Sequence, residues 1–233
     1  MSRERPHDEL RPVRMTCGFT DATPGSVLIE MGKTRVLCTA SVDKDLPRWM
    51  RDSGKGWVTA EYGMLPGSSS ERIRRDQYQG GRQKEISRLI GRALRSVVDL
   101  SRMGEAMVRV DCDVIEADGG TRTAAITGAW VALHDALVVA EEGGVLSAGA
   151  LVDHVAAVST GIVDGALLLD LEYESDVAAE VDMNVVMSGR GLLVEVQGTA
   201  EGAPFTRDEL NAMLDLAAGG IEQLIDLQKQ AIA

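Results

Sequence analysis

One stretch, residues 123–142, predicts a helix with almost no polar face. Apolar and small side chains recur on every side of it, whereas a surface helix confines them to one stripe. Aromatic residues make up only 3% of the chain, so the core around this helix must be mainly aliphatic. The stretch therefore predicts a central, buried helix. Its apolar and small residues include Ala124, Ala125, Ile126, Ala129, Trp130, Val131 and Leu133.

Elements that could cover this helix are predicted on both sides of it along the chain. A buried aliphatic stripe predicts a helix over 82–100, and at ~100° per residue Arg88, Arg92 and Arg95 fall together on its opposite face. Thr206 and Glu209, spaced as a capping box, predict the start of the last helix. The order of elements predicts a single α+β domain over residues 1–233, with mixed β-sheets and packed helices. Strands are predicted at 11–19, 27–31, 35–42, 57–62, 107–115, 155–163, 166–172, 181–187 and 192–199.

Positive charge is concentrated in one window of an acidic chain. The net charge is −12, and residues 151–233, with fifteen acids and three bases, carry −12 by themselves. Residues 71–95 hold eight bases against three acids, a local charge of +5. Binding of nucleic acid over the whole surface is therefore disfavoured. A solvated face and a local anion site are both open readings of the window. Its bases are Arg72, Arg74, Arg75, Arg82, Lys84, Arg88, Arg92 and Arg95.

The sequence also predicts where the protein works. Residues 1–10 are charged and lack the apolar segment of a signal peptide. No uninterrupted apolar run reaches the roughly 18 residues that a membrane-spanning helix needs. The cysteines, Cys17, Cys38 and Cys112, are odd in number and show no C-x-x-C spacing, which favours reduced thiols. A cytoplasmic protein that does not engage a membrane is predicted.

A first candidate site is the run DGGTRT at 118–123, between a predicted strand and the buried helix. Glycines allow several N–H groups to point the same way, the helix start adds partial positive charge, and Arg122 adds a forked cation. The run could therefore bind an anion of phosphate size. An ordinary turn, with Asp118 or Thr121 capping the helix, explains the same residues, and the sequence holds no Walker motif.

A second candidate site is acidic. In the predicted strand around EVDMN at 180–184, Asp182 and Asn184 share one face, and Asp176 lies in the approach to the strand. Carboxylates clustered in this way suit Mg²⁺, although a solvated strand face fits equally well. Asp111, Asp113 and Glu116 form a third acidic group, which could be a metal site but is interpreted as structural partners of arginines on a neighbouring element.

Several motifs, in order over nearly the whole chain, resemble the ribonuclease PH family. They are HDELRP at 7–12, GKGW at 54–57, TAEY at 59–62, MLP at 64–66, RLIGRALR at 88–95, DCDVI at 111–115, ADGGTRT at 117–123 and AEVDMN at 179–184. The resemblance implies a fold similar to the second domain of ribosomal protein S5. It also implies a homohexamer built as a trimer of dimers.

The activity that the resemblance implies is phosphate-dependent removal of 3′-terminal nucleotides from tRNA precursors, with release of nucleoside diphosphates. Inorganic phosphate is then a co-substrate, and Mg²⁺, or alternatively Mn²⁺, is the expected metal. The alternative is a non-catalytic RNA-binding subunit of an exosome-like ring.

Site residues carry over from the family position by position. Arg82, Gly120, Thr121 and Arg122 match phosphate-binding positions, and Asp176 and Asp182 match catalytic, metal-associated acids. Whether Asp182 is a metal ligand or a general acid is open. Arg72 and Arg75, with Arg88 and Arg92 on the predicted helix, are expected to contact RNA or to support assembly. Many members carry an arginine where this chain has Gly67, and the loop from there to Arg82 is shorter here.

Overall fold

The computed structural model describes residues 5–44, 46–74 and 80–233, and these form nine strands and four α-helices. A 3₁₀ turn, Arg48–Met50, lies between the third and fourth strands. In chain order the elements are β1 Val13–Cys17, β2 Gly25–Met31, β3 Thr34–Asp43, β4 Trp57–Met64, α1 Gly81–Arg95, β5 Met107–Glu116, α2 Thr121–Glu142, β6 Val155–Val163, β7 Ala166–Leu169, α3 Tyr173–Ala178, β8 Val181–Ser188, β9 Leu193–Ala200 and α4 Arg207–Ala231.

The strands form two sheets. The first has the order β1-β2-β3-β5-β4 and is antiparallel except for the β4–β5 pair, which is parallel. Helix α1 supplies the crossover that a parallel pair requires. The second sheet has the order β7-β6-β8-β9 and is antiparallel throughout. The predicted mixture of β-sheets with packed helices is confirmed.

Helix α2 lies at the centre of the core, as its composition predicts. It contacts β2, β3 and β5 of the first sheet, β6 of the second, and helices α1 and α4. One continuous cluster of buried side chains includes α2 and residues of both sheets. By length and composition α2 could cross a bilayer, but 78% of that stretch is buried inside the protein, as in a core helix. The single-domain assignment for 1–233 stays a prediction.

Helix α1 is shorter than predicted and places its arginines differently. It ends at Arg95 rather than near residue 100, although Val97 and Val98 remain buried in the following turn. The prediction placed Arg88, Arg92 and Arg95 together on an outer face. Arg95 instead donates to the carbonyl of Val58 at 2.8 Å and lies over the Trp57 ring, 4.4 Å from its centroid. Its guanidinium is thus used in packing, as cation–π contacts commonly are.

Two other regions bear on local predictions. The capping box at the start of α4 is confirmed, because Thr206 Oγ1 accepts from the Glu209 N–H and the Glu209 carboxylate accepts from the Thr206 N–H. Asp176 lies in the approach to β8, as predicted, on the short helix α3, Tyr173–Ala178, which the sequence did not predict.

Candidate active site

The predicted phosphate and acid residues line one cavity of about 730 Å³. It lies where the start of α2 meets α3 and β8, and residues 69–71 of the loop after β4 contribute to its wall. The two candidate sites of the sequence are therefore parts of a single site. The predicted residues on its wall are Arg82, Gly120, Thr121, Arg122, Asp176 and Asp182.

The cationic end of this cavity is the start of α2. Gly120, the N-cap residue, has a left-handed backbone with φ 64°, and no described side chain caps the helix. The N–H groups of the first turn are thus available to an anion rather than to a capping side chain. The Arg122 side chain, 20% exposed, lies beside them, 2.9 Å from Gln197 Oε1 and 3.6 Å from a carboxylate oxygen of Glu85.

Sequence analysis did not identify Tyr62 as a site residue, but it contacts Thr121 at this end of the cavity. Its side chain is buried, and its hydroxyl shares a 2.8 Å hydrogen bond with the hydroxyl of Thr121. Burial raises the pKa of Tyr62, although Thr121, Arg82 and Arg122 oppose that shift. The phenol therefore stays protonated, and it can hold Thr121 in place. Its position in TAEY at 59–62 was the available signal.

The acidic end combines a helix and a strand. Asp182 lies on β8, where Val181 and Met183 face the core, as the predicted alternation requires. Asp176 lies on α3 and opens to the cavity, but surrounding protein atoms shield its carboxyl. This partial burial, and then the negative charge of Asp182, raise the pKa of Asp176, while Arg82 and Arg122 act in the opposite direction. Asp182, Arg82 and Arg122 are therefore close enough to act on the Asp176 carboxyl.

The acid end offers few ligands for a metal. Within residues 5–44, 46–74 and 80–233 there is no cluster of three or more His, Cys, Asp or Glu that could hold an ion by protein contacts alone. Asp176, Asp182 and the Asn184 amide do share the cavity wall. Mg²⁺ usually binds one or two carboxylates and completes its shell with water and substrate phosphate. These residues fit that mode of binding.

Of the other predicted arginines, the three that the structure describes do not line this cavity. Arg88 and Arg92 line a separate cleft of about 340 Å³ between α1 and β9, and Arg92 is ion-paired with Glu195 of β9. Arg72 is exposed on the loop after β4. Arg75 lies outside the described residues.

The third acidic group does not form the predicted set of ion pairs. Glu116 accepts from Arg35 of β3 at 2.7 Å, as the interpretation requires. Among the described contacts, Asp111 and Asp113 make no ion pair with an arginine. Partial burial, with the charges of Glu61 and Asp113 added, raises the pKa of Asp111. These carboxylates are strand-surface groups away from the cavity.

Comparison with known proteins identifies the family to which this chain belongs. Models of the 3′ exoribonuclease family match residues 9–138 with its domain 1 and residues 153–220 with its domain 2. A ribonuclease PH of Corynebacterium efficiens is 57% identical over 231 residues, covering 98% of this chain and 94% of the relative. A ribonuclease PH of Brucella ovis is 54% identical over 234 residues, covering 99% and 98%.

Solved structures agree in fold. The Archaeoglobus fulgidus exosome with RNA bound to the active site has a TM-score of 0.79 at 20% identity, covering 95% of this chain and 90% of that one. Rice Rrp46 has a TM-score of 0.78 at 18% identity, covering 99% of both chains. With identity over most of its length to enzymes named ribonuclease PH, the chain belongs to the ribonuclease PH family and is a phosphorolytic 3′-to-5′ exoribonuclease.

Proposed function

We propose that the two ends of the cavity hold the two reactants. Arg82, Arg122 and the first-turn N–H groups at Gly120 and Thr121 bind the attacking inorganic phosphate. The 3′-terminal phosphodiester of the RNA lies between that phosphate and the acids Asp176 and Asp182. The observation that carries this assignment is that both arginines and both acids line one cavity, and that Asp182 and the two arginines act electrostatically on the Asp176 carboxyl.

Charge is the main obstacle to the reaction, because a phosphate dianion has to approach another phosphate group. Two guanidinium groups and a helix start can hold the attacking anion in line and offset that repulsion. The catalytic contribution of the protein is then positioning and electrostatic stabilisation, as in other phosphoryl transfers. The cavity has no need of a protein nucleophile, since phosphate itself attacks.

Asp176 and Asp182 would hold Mg²⁺, or Mn²⁺ in its place. When bound, the metal would neutralise charge on the transferring phosphoryl group. Asp182 has a second possible role as the general acid that protonates the leaving 3′ oxygen. Mn²⁺ binding to Asp182→Asn can be measured by the effect of the bound ion on water proton relaxation. A variant that still binds Mn²⁺ but has lost turnover would favour the general-acid role.

Product analysis with and without inorganic phosphate tests the assignment. With phosphate, a 3′-labelled RNA should release nucleoside diphosphates one at a time. Without it, shortening should stop. Nucleoside monophosphates released in phosphate-free buffer would indicate a hydrolytic nuclease, and no products under either condition would indicate a non-catalytic RNA-binding subunit. The presence of two arginines, Arg82 and Arg122, and two acids, Asp176 and Asp182, on one cavity wall favours the enzyme over that alternative.

The proposed substrates are the 3′ ends of tRNA precursors. The acidic surface disfavours contact along the whole of a folded RNA, whereas a protruding 3′ end can reach the cavity past a few local arginines. Arg72, Arg75, Arg88 and Arg92 are assigned to RNA contact or assembly. The test is competition between a tRNA precursor with a 3′ extension and an unstructured RNA of the same length. Equal rates would contradict tRNA preference.

Assembly and location complete the proposal. A homohexamer, organised as a trimer of dimers, would give a mass near six times the 24.9 kDa chain in light scattering. A stable monomer would contradict it. A cytoplasmic location is proposed from the three cysteines, which are odd in number and have no C-x-x-C spacing, the usage expected in a reducing compartment. Cell fractionation tests the location.

A further inference from the structure

A buried ion pair lies directly behind the phosphate-binding end of the cavity. Arg11 is 4% exposed and Asp170 is fully buried. The Asp170 carboxylate accepts from Arg11 three times: from the backbone N–H at 2.9 Å, from Nε at 2.9 Å and from Nη2 at 2.7 Å. This is a bidentate pair with an added backbone bond, the arrangement that fixes both side chains most strictly.

The same guanidinium also holds the glycine turn. Arg11 Nη1 donates to the carbonyl of Asp118 at 2.5 Å, and Nη2 approaches the carbonyl of Gly119 at 3.4 Å. Thr34 completes the support, because its hydroxyl donates to the Gly119 carbonyl at 2.7 Å and accepts from the Asp118 N–H at 2.9 Å. With their carbonyls held from behind, the two residues turn the first N–H groups of α2 towards the cavity.

Asp170 connects this turn to the acid end. It lies a few residues before α3, the helix that carries Asp176, and its backbone is left-handed with φ 55°. The turn and this segment also touch: a Cβ added to Gly119 would lie 2.5 Å from the Leu171 carbonyl oxygen. Arg11 therefore bonds at once to the segment that leads to Asp176 and to the turn that precedes Arg122.

Stability alone is a weak reason for such a pair. Removing two charges from water is unfavourable, and apolar residues of similar volume often serve a core equally well. Burial would raise the pKa of Asp170, but the hydrogen bonds and charge of Arg11 outweigh it and lower that pKa. Both groups are therefore charged and satisfied by each other, and neither is exposed as a ligand for substrate.

We propose that Arg11, locked by Asp170, is a positioning residue for phosphorolysis that sets the distance between the phosphate-binding turn and Asp176. This inference rests on the proposed roles of the two cavity ends. Arg11 touches no reactant. It acts through the Asp118 and Gly119 carbonyls. Its loss should therefore weaken the binding and orientation of the attacking phosphate and leave the binding of RNA unchanged.

The test is a pair of kinetic titrations on Arg11→Lys, Thr34→Val and a control, Thr127→Val. Lysine keeps the charge but cannot bond to Asp170 and to the turn together. Arg11→Lys should raise the KM for inorganic phosphate on the order of tenfold and lower kcat, because a displaced reactant reacts slowly. Thr34→Val, which removes one bridging hydroxyl, should raise that KM about threefold. The KM for RNA should not change.

Thr127→Val controls for a purely structural effect. Thr127 is a buried threonine of α2 whose hydroxyl also bonds backbone groups, those of Thr123 and Ala157, but it does not touch the glycine turn. Loss of folded enzyme lowers the apparent kcat but leaves the phosphate KM unchanged, which is the result expected for this control. If Arg11→Lys does not fold, Thr34→Val carries the same expectation.

Phosphate KM values equal to wild type in both Arg11→Lys and Thr34→Val would overturn the inference. A wild-type enzyme that shortens RNA at full rate without phosphate would instead overturn the proposed function, and the inference with it. That result is visible before any variant is made, so the two failures are distinguishable.

Discussion

Two groups of arginines in this chain lie in different environments. Arg82, at the start of α1, and Arg122, at the start of α2, line the large cavity beside the acids. Arg88 and Arg92, further along α1, line the smaller cleft against β9, and Arg92 is more than half exposed while paired with Glu195. Each of these arginines contributes the same charge, but their positions on the helices place the two groups in different cavities.

This difference shows how one basic window can serve two tasks. In the cavity, two guanidinium groups lie beside the N–H groups of a helix start that no side chain caps, an arrangement suited to binding one small anion in a fixed place. On the outer cleft, solvent and salt screen the charges, so these arginines act through weak, long-range attraction. If the assignment is right, phosphate dependence and RNA affinity should respond to different substitutions.

The largest effect is expected at the acid end. Asp182→Asn should reduce turnover by at least about a thousandfold, since loss of a metal ligand or general acid removes charge stabilisation at the reacting group. The fold should survive, because Asp182 lies on the polar face of β8. Glu180→Gln, just before the strand and outside the cavity wall, is the matched control. Near-normal kcat in Asp182→Asn would remove this residue from the chemistry.

A smaller effect should separate the two arginine groups directly. Arg82→Lys should raise the phosphate KM by about tenfold, because an ammonium cannot form the two parallel hydrogen bonds of a guanidinium. Arg88→Lys is the matched control on the same helix. It keeps the exposed charge and should leave phosphate dependence unaltered. Phosphate titrations at saturating RNA make the measurement, and equal shifts in the two variants would contradict the division.

Substitution of the outer group should have the reverse pattern. Arg88→Ala with Arg92→Ala should weaken RNA binding several-fold or destabilise the assembly, with the phosphate KM unchanged. Each lost phosphate contact should lower the slope of log affinity against log salt by about one. RNA titrations at several salt concentrations, with light scattering on the same samples, provide the data. A changed phosphate KM would show that the outer group also serves the cavity.

The pKa of Asp176 reports the electrostatic balance between the two ends. Removing the neighbouring charge in Asp182→Asn should lower it, and removing a cation in Arg82→Gln should raise it further. Because this pKa is raised in the folded state, the free energy of unfolding falls as pH rises through the folded pKa and Asp176 ionises. Asp182→Asn should lessen that loss of stability. Carboxyl ¹³C NMR measures the shift. An unchanged resonance in both variants would mean that the charges do not interact.

The smallest effect is expected at Gly67. Its backbone is not left-handed, and no described atom lies within 4 Å of an added Cβ, so Gly67→Arg should change stability by less than about 0.5 kcal/mol. The new cation, near the cavity rim, should raise RNA affinity slightly and steepen its salt dependence by about one contact. Gly67→Gln controls for bulk. Equal affinities of the two variants would rule out a contribution from charge.

Local signals predicted much of the architecture. The strand 155–163 has the predicted ends, and α2 is buried over most of its length, as its composition predicts, with Val138 and Val139 exposed near its C-terminal end. The cavity residues were also named in advance, but from the resemblance to a family, since the turn and the acid strand each had an equally good structural explanation. Only the fold brings Arg122 and Asp182 to one wall.

What sequence reasoning missed depends on contacts between distant segments. Helix α3 has six residues and one buried side chain, too short for a periodic pattern. Arg95 was assigned to a charged face from helix phase, but its long side chain folds back over Trp57. Tyr62 and Arg11 gain their roles from partners far along the chain, and no local pattern identifies such partners.

The ion pair between Arg11 and Asp170 joins residues 159 positions apart, and this separation has a consequence for how the enzyme comes into being. During synthesis, the glycine turn leaves the ribosome well before Asp170 does. Until then Arg11 lacks its anchor, and the turn is held by Thr34 alone. If Arg11 has the proposed positioning role, the chain acquires nucleolytic activity late, once its second sheet has folded against the first. A nascent or truncated chain would then lack the geometry needed to degrade RNA.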